Sequence, residues 1–79
     1  MANNTIVVKD LDEFMQRIVE NGYTYRQLAK LVGVSQTTIG LIVKGERNPS
    51  PNIAANICTA LNCQFEDIFL LKKFTTVNK

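Results

Sequence analysis

Gln36, Thr37 and Thr38 place three hydrogen-bonding side chains in succession within residues 33–45, GVSQTTIGLIVKG, a stretch that otherwise has the composition of a buried helix. The glutamine amide donates and accepts at once, so it matches the N6 and N7 edge of adenine, a pairing that discriminates between bases by about 1–3 kcal/mol. Thr37 can reach a base or a phosphate, and Leu41 can pack on a thymine methyl. Gly40 gives up about 1 kcal/mol of helix propensity relative to alanine, which makes sense where something must approach closely. Each residue has an ordinary counterpart: a solvated glutamine, surface threonines, a leucine at a protein interface. Their conjunction, with the clustered charge described next, points to contact with DNA.

Net charge is only +2, but residues 23–50 hold Arg26, Lys30, Lys44 and Arg47 against Glu46 alone, a balance of +3. Positive charge therefore gathers around the polar helix, where it can meet phosphates. Other chemistry is hard to build. The chain has no histidine to serve as general base or complete a zinc set, and Cys58 and Cys63 lack CxxC spacing. They read as two buried thiols acting as small apolar side chains. No serine or cysteine has an evident activating partner, so an enzyme is not expected, nor a metal, a cofactor or a small-molecule ligand. The 79 residues make one domain, 1–79, with little room for a large cleft. Apolar runs such as residues 68–71 fall far short of the roughly 20 residues that span a bilayer, and no secretion signal opens the chain, so a cytoplasmic protein without a membrane partner is expected.

The elements that position these side chains follow from periodicity and punctuation. Leu11, Phe14, Met15, Ile18 and Val19 repeat at helical spacing after Asp10, a cap that Glu13 complements from three residues on, with Gly22 as the exit. Thr24 and Gln27 form a second capping box, opening a short helix with Leu28, Leu31 and Val32 inward and Gly33 at its end. Ser35 caps a third helix running to Lys44, closed by Gly45. On it Ile39, Ile42 and Val43 share the inner face, leaving Gln36, Thr37, Gly40, Leu41 and Lys44 on the other. Ser50 and Pro51 start a fourth helix ending at Leu61 and Asn62, and a fifth spans Phe65 to about Leu71. Small Ala29 at the crossing and Gly33 in the turn make residues 24–44 a helix-turn-helix. The expected fold is all-α, a five-helix bundle with its core in residues 10–71. The β-branched ends, Thr5–Val8 and Phe74–Val77, are most simply used as a small two-stranded ribbon; fraying, or pairing across a subunit boundary, are alternatives the residues leave open.

Residues 11–69 resemble the phage repressor and Cro family of helix-turn-helix domains, often called XRE-like. The resemblance is carried by TYRQLAKLVGVSQTTI (24–39), KGERNPS (44–50) and ALNCQFEDIF (60–69). It implies a bundle that binds operator DNA, usually as a dimer on a palindrome, with the glutamine at Gln36 reading a base. It also implies phosphate contacts from the start of the second helix, Thr24 and Tyr25 with Arg26 beside them, and from the loop after the recognition helix, Lys44, Arg47 and Asn48. Ser35 and Thr38, at the start of the third helix, join that phosphate-contacting set. The chain departs from the family pattern in four places. Tyr25 stands where glutamine is common, and Ile18 and Val43 replace an arginine–glutamate pair. Gln64 stands where Ser or Thr would cap the fifth helix. Cys58 and Cys63 replace small or apolar core residues.

The expected function is a sequence-specific, homodimeric repressor of phage, mobile-element or bacterial origin, blocking polymerase by occupying double-stranded operator DNA. The competing class is a protein-binding antirepressor-type module that keeps the same fold, suggested by Leu41 and the apolar tail at residues 69–74.

Overall fold

Residues 2–75, which the computed structural model describes, are divided by capping residues into short elements: β1 (Ala2–Val8), α1 (Leu11–Glu20), α2 (Tyr25–Val32), α3 (Gln36–Val43), α4 (Pro51–Leu61), α5 (Phe65–Ile68) and β2 (Phe69–Thr75). None of the helices is long enough to persist alone in water, and the starts of α1 to α4 are each fixed by a side chain that satisfies first-turn amides. Asp10 accepts from the amides of Asp12 (3.0 Å) and Glu13 (3.2 Å). Thr24 and Gln27 form the reciprocal box, and Ser50 accepts from Ile53 with Pro51 opening α4. Glu13 does not reach back to Asp10; its carboxylate meets Arg17 at 3.1 Å, one turn on. At α5, which has no side-chain cap hydrogen bond, the amide of Gln64 donates to the Asp67 carboxylate at 2.8 Å, the half of a capping box that the third helical residue supplies.

One core takes a contribution from every element. Phe14 and Ile18 of α1, Leu28, Ala29 and Val32 of α2, and Ile39, Ile42 and Val43 of α3 are buried with Ala54, Ile57, Cys58 and Leu61 of α4, and with Ile6, Ile68 and Phe69. Ile18 and Val43 are both buried in this cluster, so hydrocarbon occupies positions where an ion pair would have to meet its desolvation cost. The apolar stripes are narrower than their sequence patterns. Met15 and Val19 are 42% and 67% exposed and Leu31 is 60% exposed, not inward as the spacing predicts. Met15 and Val19 each follow a buried residue by one position, a rotation of about 100°, which carries them off the contact face. Leu31 is displaced in the same way from Val32.

The five-helix bundle carries the two-stranded ribbon that the β-branched ends suggest, but in a different register. α5 ends at Ile68 instead of continuing to Leu71, because Phe69 leaves in extended conformation (φ −120°, ψ 158°) and begins β2. β2 pairs antiparallel with β1, Val8 opposite Phe69, Ile6 opposite Leu71 and Thr5 opposite Lys72. The partner of Thr5–Val8 is thus residues 69–72, while Phe74 and Thr75 pair with Asn3 and Ala2; residues 76 and 77 lie outside the described residues. This register puts Ile6, Val8, Phe69 and Leu71 on one face. Phe69 then stacks at 6.1 Å from Phe14 and 5.5 Å from Phe65, anchoring the root of the ribbon in the core.

Both cysteines are free thiols; Cys58 is buried, whereas Cys63 is only half-buried, because it follows the left-handed turn at Asn62 (φ 59°) out of α4. Burial, with Cys63 beside it, pushes the Cys58 thiol up to about 11. Below pH 9 the thiol is protonated in both folded and unfolded chains, and its stabilising contribution is complete. It is lost as pH rises from about 9 to about 11. Urea melts of the unmodified chain and of Cys58→Ala should therefore converge or cross over that interval, and parallel pH profiles would contradict it. Phe69→Ala should cost about 3–5 kcal/mol in the same assay, whereas Leu71→Ala, on the exposed half of the ribbon, should cost only about 0.5 kcal/mol.

Candidate nucleic-acid interface

α2 ends because Gly33 takes φ 92°, a left-handed value that a side chain would strain. Its amide donates to the Ala29 carbonyl at 2.8 Å and the Val34 amide donates to the same oxygen at 3.0 Å, closing the turn over the last carbonyls of the helix. Ala29, 3% exposed, sits where α3 packs on α2. Ser35 restarts the helix: its hydroxyl accepts from the Thr38 amide (3.1 Å) and lies 2.9 Å from the Thr38 hydroxyl. Asn56 of α4 holds the unit from behind, donating through Nδ2 to the Val32 carbonyl at 3.2 Å.

Seating Ile39, Ile42 and Val43 turns the opposite face of α3 outward. Gln36 and Thr37 are exposed, and neither side chain hydrogen-bonds to another described residue. Gly40 and Leu41 are half-buried beside them, and Lys44, Arg47 and Asn48 follow on the exposed loop. Thr24 and Arg26 are exposed at the start of α2, while Tyr25 is half-buried and packs against the core cluster. Thr24, Ser35 and Thr38 are different in kind: their hydroxyls are already engaged in capping. The site thus separates into free polar groups at Gln36 and Thr37 and committed ones on either side.

The electrostatics follow the same division. Among the described residues the ion pair is Glu13–Arg17, on α1; Arg26, Lys30, Lys44 and Arg47 have no carboxylate partner. Their charge is therefore available to phosphates. Two residues matter that sequence reasoning missed. Asn56 positions α2 through a main-chain carbonyl, and no pattern in the sequence marks an asparagine for that. Lys30, counted in the local charge but not as a contact, lies exposed on α2 one turn beyond Arg26.

Two short helices crossing at a small buried residue, the second with an open polar outer face, define a helix-turn-helix protein. Comparison with known proteins agrees. A family model described as Helix-turn-helix matches residues 15–68. The uncharacterized HTH-type transcriptional regulator YvzC of Bacillus subtilis is 36% identical over 58 residues, covering 73% of this chain and 75% of that protein. An uncharacterized HTH-type transcriptional regulator of Archaeoglobus fulgidus is 43% identical over 49 residues, covering 62% and 70%. The crystal structure of transcriptional regulator VanUg superposes with a TM-score of 0.61 at 25% identity over 87% of each chain. The chain belongs to the XRE-like helix-turn-helix family of DNA-binding transcriptional regulators, which is not enzymatic. No helix among the described residues is long and apolar enough to cross a membrane.

The two glycines flanking the exposed face should respond oppositely to a methyl group. A Cβ on Gly40 would meet nothing within 4 Å, so Gly40→Ala should raise stability by about 1 kcal/mol. Gly45 has φ 77° and its Cβ would come within 3.0 Å of Leu11 Cδ1, so Gly45→Ala should lower stability by about 1–2 kcal/mol. Thermal and urea melts of the two variants check both signs.

Proposed function

We propose that the chain is a sequence-specific repressor that acts in the cytoplasm, occupying an operator through the major groove and blocking polymerase, with two copies on a palindromic site. Gln36 reads an adenine edge through its bidentate amide. Thr37 supports it, Leu41 packs on a thymine methyl, and Gly40 lets the groove wall come close. Thr24, Tyr25, Arg26, Ser35, Thr38, Lys44, Arg47 and Asn48 contact phosphates, which set register and the salt dependence of binding. The observation that carries this reading is the free state of the Gln36 and Thr37 side chains at the start of α3, on a face flanked by unpaired cations. A polar helix start whose hydrogen-bonding groups are unused by the fold is suited to base edges.

The protein-binding reading has one observation in its favour, the exposure of Leu70 (50%) and Leu71 (45%) on the ribbon. It leaves the unpaired cations of α2 and of the segment after α3 without a role, and so ranks second.

In vitro selection from a randomised duplex library should yield a two-fold symmetric site. On that site Gln36→Ala should relax preference at one base position, costing about 1–3 kcal/mol there, with little change on random duplex. Lys44→Ala should weaken both duplexes and lower the salt slope by about 1. Gly40→Ala should weaken the selected site despite stabilising the fold. Equal losses on both duplexes for Gln36→Ala would rule out direct readout, and the absence of any salt-sensitive binding to random duplex would favour the protein-binding module.

A further inference from the structure

We propose that β1 is the dimerisation edge: two copies pair it antiparallel, residues 2–8 against residues 8–2, about a two-fold axis at Thr5. Each strand of the ribbon is an edge, and among the described residues neither makes a main-chain hydrogen bond outside the β1–β2 ladder and its continuation at Lys9–Ile68. A two-stranded ribbon is marginal in water without further partners.

The two edges differ in how they are protected. β2 carries Lys72 and Lys73, the kind of charge that blunts an open edge. β1, Ala2-Asn-Asn-Thr-Ile-Val-Val8, has no charge, proline or glycine.

Register fixes which groups are free. The Lys9 amide donates to the Ile68 carbonyl at 2.9 Å, which makes this a hydrogen-bonded pair. By the alternation of an antiparallel ladder, Val7–Leu70 and Thr5–Lys72 are hydrogen-bonded too. The main-chain donors and acceptors of Ala2, Asn4, Ile6 and Val8 then point away from β2. Pairing two copies about Thr5 sets Asn4 opposite Ile6 of the second copy and Ala2 opposite Val8, so that the free donors on each strand meet acceptors on the other. At the axis Thr5 meets its own copy in the close, non-hydrogen-bonded position, where a threonine pair is favourable. The same operation on β2 would place Lys72 against Lys72 at that close position, which is unfavourable.

Self-pairing is isologous and closes at two copies. The need for a two-fold partner rests on the operator-binding reading above; the asymmetry of the edges does not.

The test is sedimentation equilibrium at micromolar to tens of micromolar protein. The unmodified chain is expected to be a dimer. Asn4→Pro removes an outward donor while sparing the β1–β2 ladder, and should raise the dimer dissociation constant roughly tenfold or more. Lys73→Pro removes an outward donor of β2 and should leave the dimer unchanged. Circular dichroism confirms that each variant is folded. Should Asn4→Pro unfold, hydrogen exchange on the unmodified chain replaces it: the amides of Asn4 and Ile6 should slow with rising concentration, and those of Leu71 and Lys73 should not. A monomeric unmodified chain, an unaffected Asn4→Pro dimer, loss of the dimer in Lys73→Pro, or concentration-independent exchange at Asn4 and Ile6 would each overturn the proposal. Random-duplex binding at low salt separates the two readings. A β1-dependent dimer that never binds DNA keeps the interface and removes the operator, whereas DNA binding with a dimer indifferent to Asn4→Pro does the reverse.

Discussion

The burial of Ile39, Ile42 and Val43 on one side of α3 is the constraint from which the rest of the site follows. Each is at most 5% exposed, and together they leave an eight-residue helix no freedom to rotate about its axis. Fixing the inner face fixes the outer one, because side chains about 100° apart per residue cannot change sides separately. Gln36 and Thr37 are exposed because their neighbours are buried, and nothing else in the fold needs to hold them out. Ala29 and the Gly33 turn let α2 come close enough to brace that helix, and Asn56 ties the end of α2 to α4.

Polar groups are divided just as economically. Helix starts consume the hydroxyls of Thr24, Ser35 and Ser50, and no buried side-chain nitrogen or oxygen among the described residues lacks a partner. With Ile18 and Val43 replacing an ion pair by hydrocarbon, the core asks for no charge of its own. The cations of α2 and of the segment after α3 are consequently spare. A small domain that satisfied its interior with salt bridges would have fewer charges to offer a polyanion.

At the opposite end, the ribbon shows how one aromatic residue can change the type of an element. Phe69 has to be buried between Phe14 and Phe65, and an extended backbone achieves this while delivering the next residues to pair with β1. A helix continued to Leu71 would have left Ile6 and Val8 without a cross-strand partner. The helical reading of residues 69–71 failed because a short apolar run fits either period, and only the position of a strand sixty residues earlier in the chain distinguishes them.

Helix starts and stops were legible in the residues themselves. Thr24 with Gln27, Ser35, Ser50 with Pro51, Gly33, Gly45 and Asn62 all act through main-chain groups within a few positions, and local sequence is enough to specify local hydrogen bonds. The outward face of α3 was legible for the same reason, since its three buried neighbours share a period. What only the tertiary structure decided was the width of each contact face and the identity of distant partners. Met15, Val19 and Leu31 carry the right spacing but lie about 100° beyond the surface their helices cover. Asn56 finds the Val32 carbonyl, and Val8 finds Phe69 while Phe74 falls opposite Asn3, through contacts that depend on how elements cross. Periodicity states which side of a helix is apolar; how much of that side is covered depends on the neighbours that pack against it.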